Sequence, residues 1–136
     1  MDPREMICLL NEALAQEHAC IIRYLTHAAV VKGVYHEPVK ARLTEIATDE
    51  QTHAGLLRDR IVGLGGIPTT EVREIKMATT IPEILAINIE EEKSAIGMYQ
   101  NIQAKIPDGE VLLRETVDQL IRDEQEHLQE LRQLTN

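Results

Sequence analysis

A glutamate and a histidine three residues apart occur twice in this sequence, as Glu50 and His53 in "DEQTH" and as Glu124 and His127 in "DEQEH". On a helix, positions three apart share a face, so each pair can present a carboxylate and an imidazole to one point. The two copies share the pattern DEQxHxxxLR at an offset of 74, from Glu50 to Glu124. A weaker echo links two other segments. Glu17 precedes Tyr24 by seven residues and Glu92 precedes Tyr99 by seven, at an offset of 75. The chain reads as two related halves, each with one Glu-only segment and one Glu-x-x-His segment.

A lone Glu-x-x-His is most often a surface coincidence, but these copies stand in the middle of apolar stripes. The first stripe is Leu10, Leu14, Glu17, Ile21, Tyr24, Ala28 and Val31, and the second is Leu43, Ile46, Glu50, His53, Leu57 and Ile61. The third carries Leu85, Ile89, Ile96, Tyr99 and Ile102, and the fourth Leu113, Val117, Leu120, Glu124, His127, Leu131 and Leu134. Three have the spacing of threes and fours of an amphipathic helix, and the third has it apart from a step of seven between Ile89 and Ile96. In "EEE", Glu90 falls opposite the apolar face, while Glu91 and Glu92 flank it about equally at about 100° per residue. The seven-residue spacing to Tyr99 selects Glu92 and leaves Glu91 as a possible extra ligand.

Four carboxylates converging in a core carry a large desolvation penalty unless something positive meets them. Two divalent cations would balance Glu17, Glu50, Glu92 and Glu124, and neutral His53 and His127 would complete the coordination without adding charge. Mixed carboxylate and imidazole ligands suit Fe, Mn or Zn better than Mg or Ca, and no cysteine ligand is in place for a thiolate site. One Glu from each of two helices and Glu-x-x-His from each of two others is the pattern of di-iron carboxylate bundles. Tyr24 and Tyr99 are either core residues whose hydroxyls find a partner or groups with a redox or ligand-supporting role. Asp49 and Asp123 either orient the opposite histidine or are solvated. His18, His27 and His36 receive no functional role.

The elements that must position these residues follow from their flanks. Asp2, Pro3 and Glu5 open the first helix, which runs to about Val31. After "KGVYHEP", Pro38 is expected at the start of the second, which ends at "LGGIP". A polar connector spans about Gly65 to Thr79. Thr80 and Glu83 then form a capping box around Pro82, and Asp108 within "IPDGE" is the expected cap of the fourth helix. The expected fold is all-α: one domain over residues 1–136, a four-helix bundle of two helical hairpins joined by a longer crossover.

Composition agrees. Of the 136 residues 43% are hydrophobic, yet there is no Trp or Phe and only three Tyr, so Leu, Ile, Val, Ala and Met must build the core. Fourteen Lys and Arg against 23 Asp and Glu give a net charge of −9 without a basic tail, which argues against nucleic acid and anionic membranes as partners. No apolar run spans a bilayer and the start lacks a leader pattern, so a cytoplasmic protein is expected. Cys8 and Cys20, on one helix, are too far apart for an internal disulfide; they read as core thiols or as partners in a bond between chains.

Nearly the whole chain resembles the ferritin-like superfamily, most closely the bacterioferritins, through Glu17 with Tyr24, "DEQTH", "LGGIP", Glu92 and "RDEQEH". The resemblance implies a first metal held by Glu17, Glu50 and His53, a second by Glu92, Glu124 and His127, and Glu50 and Glu124 bridging. It implies binding of Fe(II) and its oxidation by dioxygen or hydrogen peroxide, with Tyr24 near the centre, and storage or detoxification of iron in a homo-oligomer. Gln51 stands where the family has its haem-binding Met, so haem is not expected. No fifth helix follows the fourth, which points to a smaller shell, a dimer or another assembly rather than a 24-subunit cage. At the family's inner-surface iron site, Glu45 takes the His position and Asp49 is kept. Two alternatives remain: a rubrerythrin-like peroxidase served by an external electron donor, with Glu91 as an added ligand, and a bundle whose metals, Zn foremost, only hold the core together. A DNA-protecting role lacks its basic tail.

Overall fold

The computed structural model describes residues 2–135 and consists of four helices: α1 Pro3–Val30, α2 His36–Gly63, α3 Ile81–Gln103 and α4 Val111–Gln133. Helix α1 lies along α2 and α3 along α4, with further contact between α1 and α3 and between α2 and α4. It is the expected all-α four-helix bundle of two hairpins. No helix among the described residues is long and apolar enough to cross a membrane.

Helix starts follow local chemistry. Asp2 caps α1, its carboxylate accepting from the Arg4 backbone N–H at 2.9 Å ahead of Pro3. Helix α2 starts earlier than expected, at His36 with Tyr35 at the cap, rather than at Pro38. Gly33, at φ 124°, turns the chain so that the His36 backbone N–H reaches its carbonyl at 3.2 Å. Pro38 then falls inside the first turn, where no intrahelical N–H is required of it. Thr80 does precede α3, but its hydroxyl donates to Glu83 Oε1 at 3.1 Å instead of accepting a backbone N–H, so the capping box is incomplete. Asp108 is not the cap of α4. A turn bonds the Glu110 N–H to the Pro107 carbonyl at 3.0 Å, and Glu110 takes the cap position.

The crossover, residues 64–80, runs up the side of α1 and sets the order of the bundle. Asn11 takes the Thr69 N–H at 2.8 Å, Ala15 O takes the Arg73 N–H at 3.2 Å, and His27 Nε2 takes the Ala78 N–H at 3.2 Å. His18 Nδ1 also lies 2.7 Å from the Glu71 carbonyl. Rising residue numbers on the crossover meet rising numbers on α1, so the chain returns to the far end of α1 before α3 begins. Helices α1 and α3 are therefore antiparallel, as are α2 and α4, and residues at the midpoint of all four face one another.

Two apolar clusters lie on either side of that midpoint, one around Leu14, Leu57, Tyr99 and Leu120 and one around Tyr24, Leu43, Leu85 and Leu131. The α2 stripe is buried as expected. On α3 the buried face runs through Ile84, Asn88, Glu92 and Ala95, and Ile89 and Ile96 are only partly covered. On α1, Ile21 is likewise partly covered and Cys20 takes the interior place. Cys8, expected in the core, is exposed; Cys20 is buried, and both are free thiols.

Candidate metal centre

Glu17, Glu50, His53, Glu92, Glu124 and His127 converge between the two apolar clusters, each at most 3% exposed. They form two overlapping groups whose candidate ligand atoms lie within 4.8 Å of one another: Glu17, Glu50, His53 and Glu124, and Glu50, Glu92, Glu124 and His127. Glu50 and Glu124 belong to both.

Each histidine is oriented by an aspartate of the opposite Glu-x-x-His helix. His53 Nε2 lies 3.0 Å from Asp123 Oδ2 and His127 Nε2 lies 2.8 Å from Asp49 Oδ2. With Nε2–H donated to the aspartate, Nδ1 of each ring is the atom that faces the carboxylates, and it carries the lone pair whenever the ring is neutral. His53 Nδ1 lies 3.2 Å from Glu50 Oε1 and from Glu124 Oε1, and His127 Nδ1 lies 3.3 Å from Glu124 Oε1. The rings themselves stack with centroids 6.1 Å apart.

The two Glu-only helices support each other across the centre. Tyr24 on α1 donates to Glu92 Oε1 on α3 at 2.6 Å, and Tyr99 on α3 donates to Glu17 Oε1 on α1 at 2.7 Å. Each phenol satisfies one oxygen and leaves Oε2 facing inward. Eight buried atoms of the six side chains then have no hydrogen-bond partner: Glu17 Oε2, both oxygens of Glu50, Glu92 Oε2, both oxygens of Glu124, and Nδ1 of His53 and His127. Buried polar groups are nearly always paired, so eight orphans aimed at one place mark a space built for cations.

The side chains alone respond to this crowding by holding protons. Burial, with the charge of Glu50 added, pushes Glu92 up to about 8. Burial and the charges of Glu92 and Glu17 push Glu124 to about 7. Glu50 rises well above the usual carboxylate range through burial and the neighbouring Glu124 and Glu17. Burial works against a charged His127, but the carboxylates of Glu124 and Glu50 outweigh it and raise the ring to about 9. His53, equally opposed by burial, is driven up further by Glu124, Glu17 and Glu50 around its Nδ1. Protons and metal cations thus compete for the same lone pairs.

Glu91 stands apart. Its carboxylate accepts from Gln16 at 3.1 Å and lies 3.7 Å from Lys76 Nζ and 3.9 Å from Arg23 Nη1. Beside Tyr24 lies a polar cluster that periodicity did not disclose. Arg23 is 1% exposed, its Nε donates to Asn88 Oδ1 at 2.8 Å, and His27, fully buried, lies 3.0 Å from Asn88 Nδ2. Burial, then the Arg23 charge, lowers His27 to about 4, so it is neutral. The available signal was the spacing of Cys20, Arg23 and His27 at three and four, and of Asn88 four before Glu92. A single stripe is narrower than the face a helix buries between two neighbours.

Comparison with known proteins places this geometry among relatives. The family model described as ferritin-like domain matches residues 7–136. The bacterioferritin of Desulfovibrio desulfuricans is 30% identical over 127 residues, 91% of this chain and 70% of that protein. A solved ferritin-like, diiron-carboxylate protein from Bacillus anthracis superposes with a TM-score of 0.95 at 34% identity, covering 100% of this chain and 99% of that one. A dodecameric thioferritin from Bacteroides fragilis, described as bacterioferritin-related, gives 0.92 at 27% identity, covering 98% and 85%. The paired Glu and His clusters suit a di-metal centre of this kind.

Proposed function

Because this chain belongs to the ferritin-like domain family, we propose that it is a ferroxidase that binds two Fe(II) as substrate at its paired clusters and oxidises them with dioxygen or hydrogen peroxide. The observation that carries the reading is the set of eight partnerless atoms on six buried side chains. Glu17, Glu50 and His53 hold one iron, Glu92, Glu124 and His127 the other, and Glu50 and Glu124 are shared. Two irons supply the two electrons that reduce dioxygen to peroxide, or peroxide to water.

The protein's own part is positioning. Asp123 and Asp49 hold the imidazoles with Nδ1 inward, and Tyr24 and Tyr99 fix the rotamers of Glu92 and Glu17. Loading iron displaces the protons held by Glu92, Glu124 and the histidines, and the apolar clusters on both sides keep bulk water out. Mn or Zn would fit the same donors. The oxidised iron is stored or released. The dodecameric relative supports a homo-oligomer, and the family supports a cytoplasmic protein. The peroxidase alternative finds no support in Glu91, whose carboxylate is engaged by Gln16 and Lys76 away from both groups.

Anaerobic titration with Fe(II) followed by air tests the proposal. We expect saturation at about two Fe(II) per chain and fast oxidation on mixing, both abolished in Glu50→Ala and Glu124→Ala. Full oxidation rates in either variant would overturn the assignment. Two metals bound but indifferent to dioxygen and peroxide would leave the structural-metal reading.

A further inference from the structure

The two halves of the centre are built alike in their ligands and unlike in what stands behind them. At the offset of 75 that relates Tyr24 to Tyr99, Cys20 corresponds to Ala95, Arg23 to Met98, His27 to Ile102 and Asn88 to Ala13. Tyr99 is therefore set among apolar neighbours, with Ala13, Ala95 and Ile102 buried in the same cluster and Met98 against it. Tyr24 is backed by a buried guanidinium. The Arg23 Cζ atom lies 5.1 Å from the Tyr24 ring centroid, Nε donates to Asn88 Oδ1 at 2.8 Å, and Nη2 reaches Cys20 Sγ at 3.5 Å. Its nearest carboxylate, Glu91 Oε2, is 3.9 Å away and partly exposed, so Arg23 remains a cation in the interior with one distant counter-charge.

We propose that Arg23 is a positioning residue that makes the two metal positions unequal, weakening the one built on Glu92 and His127 through Tyr24. A cation on the face of a phenol draws electron density from the ring and makes its O–H a stronger donor. The Tyr24 hydroxyl bonds Glu92 Oε1 at 2.6 Å, so that carboxylate has less density to give a metal. The guanidinium also repels a second cation placed on the same side of the centre. Glu17, bonded by Tyr99 in apolar surroundings, escapes both effects. The result is ordered loading: the Glu17 and His53 position fills first, and the other fills later and empties first. The inference rests on the di-metal reading and adds which of its positions is the labile one.

Anaerobic titration with Co(II), followed by its ligand-field absorbance, reads the two positions without any turnover. The wild type should take up about two Co(II) per chain in two steps with affinities roughly 10-fold apart, the low end of what partners of metal ligands control. Arg23→Met, which copies the other half, should tighten the weaker step and merge the two, and Arg23→Lys should keep them apart. Arg23→Gln, which can still donate to Asn88, serves if the Met variant does not fold. In a Tyr24→Phe background the Arg23 substitution should have a clearly smaller effect, what remains being the direct repulsion. Asp49→Ala, on the His127 side, should loosen the weaker step, and Asp123→Ala the tighter one. An unchanged gap in both neutral variants, an undiminished effect without the Tyr24 hydroxyl, or loosening of the tighter step by Asp49→Ala would overturn the inference. Wild-type protein that binds fewer than two Co(II) would overturn the di-metal reading and this inference with it.

Discussion

Each imidazole in the centre is held by an aspartate from across the bundle, and the two aspartates differ in exposure. The Asp123 side chain is 28% exposed and that of Asp49 57%, yet both reach an Nε2 at 3.0 Å or less. Their task is to hold Nε2–H and so aim Nδ1 inward, where a metal can take the place of its proton. Asp123→Ala should therefore weaken metal binding at the His53 position roughly 10- to 100-fold. Stability should fall by no more than about 1–3 kcal/mol, the cost of leaving the buried His53 Nε2–H without its acceptor. Calorimetric titration and a thermal melt check the two halves of that expectation; a large loss of stability with unchanged affinity would make Asp123 a structural residue. At this scale the convergence of Glu17, Glu50, His53, Glu124 and His127 was legible because each stands where a stripe calls for an apolar residue, and that of Glu92 only through the repeat of its spacing to Tyr99. Arg23 and Asn88 were not legible, because charge and polarity at a helix position normally mean solvent, and only packing shows otherwise.

Among the elements, the end of α2 carries the tightest constraint. Gly65 adopts φ 88°, which favours glycine after a helix end, and its N–H bonds the Val62 carbonyl at 2.9 Å. Gly66 needs its size for another reason: a Cβ there would lie 2.7 Å from Ile7 Cγ2 and 3.0 Å from Ile61 Cγ2. The absence of a side chain there lets the start of the crossover lie close against Ile7 of α1 and Ile61 of α2. Gly66→Ala should lower stability by about 1–3 kcal/mol through overpacking. Metal stoichiometry should be unaffected, as read by chemical denaturation and metal titration of the same variant. A neutral change in stability would mean that α1 yields at Ile7. Existence and type of all four helices could be read from the stripes. The start of α2 at His36 and of α4 at Val111 could not, since turns at Gly33 and Pro107, not the nearest proline or aspartate, decide where helical bonding begins.

For the molecule as a whole, the centre is a cost to folding that cations remove. Glu92 at about 8, Glu124 at about 7 and His127 at about 9 all lie above their usual values of 4.5 and 6.5. The folded chain therefore binds more protons than the unfolded chain between about pH 6.5 and 9. Stability must fall as pH rises through that window, because each raised value contributes stability that is present at low pH and lost above it. His27, held near 4, has the opposite sign but exerts it below 6.5. Thermal melts of the metal-free protein should decline from about pH 6.5 to 9, and saturating divalent metal should raise the melt and flatten the decline as it displaces the protons. A flat or rising profile for the metal-free protein would show that the carboxylates do not share protons in the folded state.

Local chemistry reaches a long way in this chain. Helical period, the echo at 74 and 75, and the cost of burying four carboxylates together point to the bundle, to the convergence of the six side chains and to a centre suited to cations. All of these are properties of one helix at a time, or of a repeat within the chain. What only the tertiary structure decides are relations across helices: that Tyr24 serves Glu92 and Tyr99 serves Glu17, that each aspartate serves the opposite histidine, that Glu91 turns away, and that a buried Arg23 stands behind one tyrosine and not the other. Periodicity gives a direction around one axis, whereas a contact depends on the register and rotation of two axes, and packing alone sets those.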